Sequence, residues 1–518
     1  MFANLGMFVR AAAQFAPEDT ALSEGKRSIS YRELDEMSGS VALNLRSSGI
    51  KPGDRVALSL PNCIEFVVAY FGIAKVGGIV VPFNVMLTKS EISHILSDCG
   101  ARAIIFEDDE SGRRSHNVLN AAKSTNCDLF WDIGATPTRP AAAFDCLLQD
   151  DGNTPLMHLP ATGPADPAVI LYTSGTTGAP KGAILTHGNL CFSGLINGEG
   201  FGFRSTDRVM VTLPLFHVFG QSVFMLGGIA RLSQLNLVRR FEAGAVLDMM
   251  HSTKTTVFGG VPTMYSALLA ESGQISETIR AMIAENLRLC ISGAASMPEE
   301  VLSRFESLFS TAIYEGYGLT EASPTIAFAR RGIPRKIGSV GRPVWGVEVR
   351  IVKDDGQEAL VGERGEILCR SPGVFAGYWN RDAATAETFR DDWLCTGDAG
   401  YIDPDGDIFI VDRIKDIIIR GGYNVYPNEV EDVLMRHPAV QLCAVVGKPD
   451  SHYGEEVVAH VVLGTGIQIE PHELILWARE NMAGYKYPRQ IHFHDELPMT
   501  GSGKVLKRLL RLPAKGED

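Results

Sequence analysis

Short apolar runs alternate with amphipathic stretches over roughly the first four hundred residues, and that alternation restricts the chain to few folds. Arg55-Val-Ala-Leu-Ser-Leu60 predicts a strand, and Ile64 to Lys75 predicts a helix. Gly78 to Pro82 predicts the next strand, a helix follows from about Ser90 to Ser97, and Ala103-Ile-Ile-Phe106 predicts another strand. Arg208 to Leu213 and Leu287 to Ser292 repeat the theme. The helix after the latter opens at Pro298-Glu299-Glu300, where proline and acids suit an N-terminus. The expected fold class is α/β, with two mainly parallel sheets covered by helices, because parallel strands need long crossover connections.

The texture changes after about Gly346. Val347 to Val352 and Gly365 to Cys369 alternate apolar with polar residues, and Tyr401 to Val411 carries Pro-Asp-Gly where a hairpin would turn. An antiparallel β subdomain is expected there. Beyond Asp412 the pattern predicts a small α+β unit, with helices near Asn428–Arg436 and His472–Met482 and strands at Cys443–Val446 and Glu456–Leu463. A chain of 518 residues exceeds one ordinary core. The expected division is a large N-terminal domain over 1–412 and a small C-terminal domain over 413–518. Gly134 to Pro167, rich in Pro, Thr and Ala, reads as a long surface connection.

Bulk properties exclude several classes. A formal net charge of −13 argues against a nucleic-acid partner. The nine cysteines form no C-x-x-C and no metal-like cluster, so reduced thiols in a cytoplasmic protein are expected, most of them small core residues. No signal-peptide pattern opens the sequence, and no apolar run approaches the ~20 residues that span a bilayer. A monomer or homodimer is expected.

One segment points to chemistry. The apolar run Ala168 to Leu171 leads into Tyr172-Thr-Ser-Gly-Thr-Thr-Gly-Ala-Pro-Lys-Gly-Ala183. Glycine lets backbone N–H groups converge on an anion, the hydroxyls add donors, and Lys181 adds a charge. This is a loop suited to polyphosphate, although it does not match Gly-x-x-x-x-Gly-Lys-Ser/Thr.

Six further segments accompany that loop. They are Leu213-Pro-Leu-Phe-His-Val-Phe-Gly220, Ser292-Gly-Ala-Ala295, Tyr314-Glu-Gly-Tyr-Gly-Leu-Thr-Glu321, Trp393-Leu-Cys-Thr-Gly-Asp398, Asp412-Arg-Ile-Lys-Asp416 with Gly421 to Glu429, and Pro498-Met-Thr-Gly-Ser-Gly-Lys504. In this order, and over essentially the whole chain, they resemble the adenylate-forming superfamily of acyl-CoA synthetases, luciferases and adenylation domains. The wording is most similar to fatty-acyl-CoA ligases.

The resemblance implies an AMP-forming acid–thiol ligase that uses ATP, Mg2+ and coenzyme A. It implies nucleotide contacts from Thr173, Ser174, Gly175, Thr176, Thr177, Gly178 and Lys181 in the loop, and from Gly293, Ala294 and Ala295. It adds Glu315, Gly316, Tyr317, Gly318 and Thr320, then Asp398, Arg413 and Lys504. Asp398 is expected on the ribose hydroxyls, a task suited to a short carboxylate. Tyr317 offers a face for adenine, Thr320 a donor, and Glu321 an oxygen ligand for Mg2+, with Thr176 as a second metal contact through the phosphate site. Lys504 is expected to offset the repulsion between the attacking carboxylate and the α-phosphate. The catalytic set is therefore Lys504, Thr320, Glu321 and His217. His217 is expected beside the substrate carboxylate without transferring a proton, because the acid is already ionised at neutral pH.

By the same resemblance the C-terminal domain is a mobile lid that turns about a hinge at Lys415. Lys504 then withdraws, and Gly421, Gly422 and Tyr423 enter to line a pantetheine tunnel. The acyl pocket is expected from His217, Val218, Phe219, Gly220, Val261 and Gly316. The segments around it contain no Arg or Lys, so an apolar monocarboxylic acid is favoured over a dicarboxylate. A fatty acid comes first and an aryl acid second. An acyl carrier protein is the alternative acceptor to CoA, and a non-catalytic ATP-binding protein is the alternative from another class. Cys395 and Met499 depart from the residues common at their positions, without removing a required group.

Overall fold

The computed structural model describes residues 4–109, 111–149, 162–173, 180–450, 452–464, 466–500 and 503–511. Four sheets organise the chain. The first has eight strands. Its parallel centre comprises Arg55–Ser59, Ile79–Pro82, Ala103–Phe106 and Leu129–Asp132, and Pro167–Thr173 pairs in parallel with Ile79–Pro82. Lys181–Thr186 then turns back antiparallel to Pro167–Thr173, and the short strand Gly377–Tyr378 pairs on its other side.

The second sheet has nine strands. Thr20–Glu24, Gln234–Leu237, Arg208–Val211, Val257–Gly260, Leu289–Gly293 and Ile313–Gly318 run parallel in that spatial order. Thr325–Phe328 closes one side antiparallel. Helices His187–Gly200 and Ile64–Lys75 belong to the layer between the sheets. The latter is apolar on nearly every face, and eleven of its twelve residues are buried. A helix buried all round has a sheet to cover on each side. Its side chains share one core with Val56 and Leu58 of the first sheet and Val209 and Leu235 of the second.

The expected antiparallel subdomain is present as Glu348–Val352, Gly365–Arg370, Trp393–Ile402 and Ile408–Arg413. A single turn, Ile414–Asp416, leads into the last sheet. That sheet contains Ile418–Arg420, Tyr423–Val425, Val440–Asp450, Gly454–Leu463 and Gln490–Phe493, packed with helices Pro427–Met435 and Pro471–Asn481 around a separate core.

Element boundaries moved where local chemistry outweighed hydrophobic period. Thr88 and Glu91 form a capping box, so the helix expected from Ser90 starts at Lys89. The strand expected at Cys443–Val446 spans Val440–Asp450, because its antiparallel ladder continues past the apolar centre. Phe219–Leu226 is a π-helix, which the sequence did not indicate. The connection expected on the surface from Gly134 to Pro167 is only partly so: Phe144 and Leu147 are buried in a 3-10 turn. All nine cysteines are free, and seven are buried. Among the described residues, no helix is long and apolar enough to cross a membrane.

Candidate active site

A cleft of about 530 Å³ separates the sheets of the large body from the C-terminal unit. Its floor is built at the carboxyl ends of parallel strands, where α/β sheets leave room for ligands. Ala294 and Ala295 follow Leu289–Gly293, and Glu315, Gly316, Tyr317 and Gly318 end the neighbouring strand. Asp398 and Arg413 line one side, while Lys415, Asn428, Asp432 and Lys504 bring in the turn Ile414–Asp416 and the C-terminal unit.

Asp398 and Arg413 meet because hairpin register places them opposite each other. Arg413 Nε lies 3.0 Å from Asp398 Oδ1, and Tyr317 Oη donates to Oδ2 at 2.7 Å. The Tyr317 hydroxyl thus ties the nine-stranded sheet to the antiparallel subdomain, and its ring stays on the cleft wall. Burial and the Asp398 carboxylate push the Tyr317 phenol well above its usual range. Glu315 is buried, accepts a bond from Met297 N at 3.2 Å, and is pushed up to about 7. Burial likewise raises Asp432 to about 6.

Lys504 sits in a tight turn. Thr500 N donates to Lys504 O at 2.7 Å, and Lys504 N donates to Thr500 Oγ1 at 3.0 Å. Gly503 has φ +81°, and a Cβ there would come within 3.0 Å of Val261 Cγ2. The turn is therefore docked against the body at the start of helix Pro262–Glu271. Burial and the nearby Arg413 lower the Lys504 ammonium to about 8, against the opposing pull of Asp398. Met499 is 38% exposed.

Burial and the Lys504 cation lower His217 to about 4, so its ring is neutral at pH 7. Phe219 N donates to His217 Nδ1 at 3.3 Å, which leaves the ring proton on Nε2. Val218 and Val261 are both buried at 1% exposure. Phe219 packs its ring across Gly293, where a Cβ would lie 3.2 Å from ring carbons, and it stands 5.5 Å from the Phe224 ring. Gly220 leaves no space for a side chain against Pro214 O.

Thr320 and Glu321 form a 3-10 turn directly after strand Ile313–Gly318 and Leu319. Tyr378 Oη donates to Glu321 Oε1 at 2.7 Å, and Lys181 Nζ lies 5.2 Å from the centre of the Tyr378 ring. Glu321 is a single carboxylate: among the described residues, no group of three or more His, Cys, Asp or Glu could hold a metal ion. Its lone carboxylate would suit a hard cation such as Mg2+ that arrives already bound by a nucleotide.

Not every expected residue reaches the cleft. Gly421, Gly422 and Tyr423 are not part of its wall; Tyr423 is 60% exposed and stacks on Tyr485 at 4.8 Å. Thr173 ends its strand, whereas Ser174, Gly175, Thr176, Thr177 and Gly178 lie outside the described residues. Sequence reasoning passed over Tyr378, which lies in a two-residue strand too short to carry any periodic signal. It also passed over Asp432, whose helix was expected but whose facing was not legible.

Comparison with known proteins agrees with this layout. The chain matches the family model described as AMP-binding enzyme over residues 8–379 and that described as AMP-binding enzyme C-terminal domain over residues 429–504. It is 37% identical to feruloyl-CoA synthase of Amycolatopsis sp over 512 residues, covering 98% of each chain. It is 35% identical to long-chain-fatty-acid–CoA ligase of Bacillus subtilis over 529 residues, covering 96% of this chain and 92% of the relative. ATP-bound MatB from Rhodopseudomonas palustris superposes with a TM-score of 0.89 at 30% identity, covering 99% of this chain and 98% of that one. The apo structure of the same protein gives 0.77, so the arrangement of this chain is nearer the ATP-bound one.

Proposed function

The chain belongs to the AMP-binding enzyme family, and on that premise we propose how its cleft activates an acid and which acid it takes. The enzyme is an AMP-forming acyl- or aryl-CoA synthetase with ATP, Mg2+ and CoA as reaction partners. In the first half-reaction a carboxylate oxygen bonds to the α-phosphorus of ATP, the bridging P–O bond breaks, and pyrophosphate leaves with the electron pair. In the second, the CoA thiol releases its proton to solvent, the thiolate sulfur bonds to the acyl carbon, and AMP leaves with the C–O electrons.

The single observation that carries the reading is Lys504. Its turn is docked against Val261, and the residue lines the cleft within electrostatic reach of Arg413 and Asp398. A unit charge ~4 Å from the reacting oxygens is worth ~4 kcal/mol at an effective dielectric of ~20. Asp398 accepts from the ribose hydroxyls with its remaining lone pairs, and Tyr317 presents its ring to adenine. Thr320 donates to the α-phosphate or the acid. When bound with ATP, Mg2+ neutralises phosphate charge, and Glu321 is the residue that would hold it. Neutral His217 donates from Nε2 to the acid and takes no proton.

For thioester formation the C-terminal unit, from about residue 413, turns at Lys415 and exchanges the Lys504 turn for the Gly421–Tyr423 loop.

The acid is a compact aryl carboxylate, ahead of the fatty acid first expected. Two features support this order: the Phe219 ring packed across Gly293 and 5.5 Å from the Phe224 ring, and an identity of 37% to feruloyl-CoA synthase against 35% to the fatty-acid ligase. A long alkyl chain needs a channel past those rings. ATP–pyrophosphate exchange over a panel of benzoates, cinnamates and fatty acids tests the reading, followed by thioester formation with CoA. Exchange with every fatty acid and no aryl acid would reverse the substrate order; exchange with no acid would remove the ligase.

A further inference from the structure

We propose that Tyr378 is a positioning residue that sets the Mg2+-facing carboxylate and the phosphate-loop lysine against each other. This rests on the reading of Glu321 as the residue that meets the cation bound with ATP. Tyr378 comes from neither of the elements that carry those charges. It lies on the edge strand Gly377–Tyr378, paired with Ala183 two residues beyond Lys181. From there its hydroxyl crosses to the other sheet and donates to Glu321 Oε1 at 2.7 Å. Its ring lies 5.2 Å below Lys181 Nζ and is braced at 4.9 Å by the edge of Phe375. Phe375 N in turn donates to the backbone oxygen of Glu321 at 2.8 Å.

One side chain thus handles two opposite charges by two mechanisms. The hydroxyl binds one oxygen of the carboxylate and leaves Oε2 for a cation. The electron-rich ring face attracts the ammonium, and a ring neighbour fixes the plane. Without the tyrosine, Lys181 and Glu321 could approach and pair with each other, which would remove both from the phosphates.

The test is calorimetric titration of ATP into the full-length protein over a series of Mg2+ concentrations. Tyr378→Phe keeps the ring and loses the hydroxyl. It should raise the Mg2+ concentration at half-maximal ATP affinity by roughly tenfold, the scale of one hydrogen bond to a charged group. Tyr378→Leu removes the ring as well, and should lower ATP affinity at saturating Mg2+ by roughly a further twofold to fivefold. AMP binding in Mg2+-free buffer should be unchanged in both variants. Glu321→Gln is the control. If it shifts the Mg2+ dependence and Tyr378→Phe does not, the positioning role is overturned while the reading of Glu321 stands. If neither shifts it, the reading of Glu321 falls and the proposal with it. Equal loss of AMP binding would mark a structural role and also overturn the proposal.

Discussion

Asp398 and Arg413 face each other in one antiparallel strand pair, with the guanidinium Nε 3.0 Å from a carboxylate oxygen. They lie where the last strand of the antiparallel subdomain hands the chain to the C-terminal unit. Their partners include Tyr317 on the nine-stranded sheet and, through charge, Lys504 on the far side of the cleft. Asp398 thus joins three parts of the molecule at the place proposed for the ribose.

Asp398→Asn should weaken ATP binding by roughly tenfold to a hundredfold. The neutral amide loses the charge that holds Arg413 and keeps one acceptor oxygen in place of two, so Tyr317 and both ribose hydroxyls cannot all be satisfied, and an unmade buried bond costs ~1–3 kcal/mol. Fluorescence titration with a labelled AMP analogue measures this. Unchanged affinity would place the ribose elsewhere.

Lys504→Ala should separate the two half-reactions. Adenylation should fall about 100-fold or more, the scale found for removing one preorganised donor at a developing charge. Thioester formation from a supplied acyl-adenylate should stay within roughly threefold. Pyrophosphate exchange measures the first and single-turnover thioester release the second. Equal losses would contradict the proposed withdrawal of Lys504.

Adenylation should lose efficiency in alkali. Burial and Arg413 lower Lys504 to about 8, and the protonated form is the one that offsets the meeting anions. The charge is therefore present below pH 8 and lost as pH rises through it, so kcat/KM should fall above that point. His217, at about 4, stays neutral across the range and adds no limb. Lys504→Arg should remove the alkaline limb, because guanidinium does not titrate there.

Gly503→Val should impair adenylation while leaving the fold intact. A β-branched residue at φ +81° costs ~1–2 kcal/mol or more, and the added carbons collide with Val261. The thermal midpoint should change little, because the turn is at the surface of the C-terminal unit. An adenylation rate equal to the wild type would mean that this docking is not needed.

Phe219→Ala should widen the acyl pocket. The ring now fills the space in front of Gly293, and its removal should raise exchange with longer acids relative to benzoates. Competition between a benzoate and a medium-chain fatty acid reads the ratio. An unchanged ratio would mean that Phe219 does not bound the pocket.

Much of the body could be read in advance for a local reason. Ile64–Lys75 and Ala103–Phe106 occur at the expected residues, because buried helices and strands of parallel sheets leave continuous apolar runs. The hairpin from Trp393–Ile402 to Ile408–Arg413 was legible in Pro-Asp-Gly. Segment order along the chain was enough to suggest the family, since each motif is a short local pattern. The π-helix at Phe219–Leu226, which packs on helix His187–Gly200, left no such mark.

What the residues determined by themselves was therefore composition and element type: a segment rich in Gly, Ser and Thr that ends in Lys181, a lysine in a Gly-Ser-Gly setting near the tail, and strands that must be covered on both faces. Tertiary structure alone decided which groups meet. A two-residue edge strand delivered Tyr378 to Glu321 across two sheets, and the turn that carries Lys504 set Gly503 beside Val261. These contacts join positions tens to hundreds of residues apart. Local pattern carries no information at that separation, since the pairing is settled by how whole sheets and cores pack.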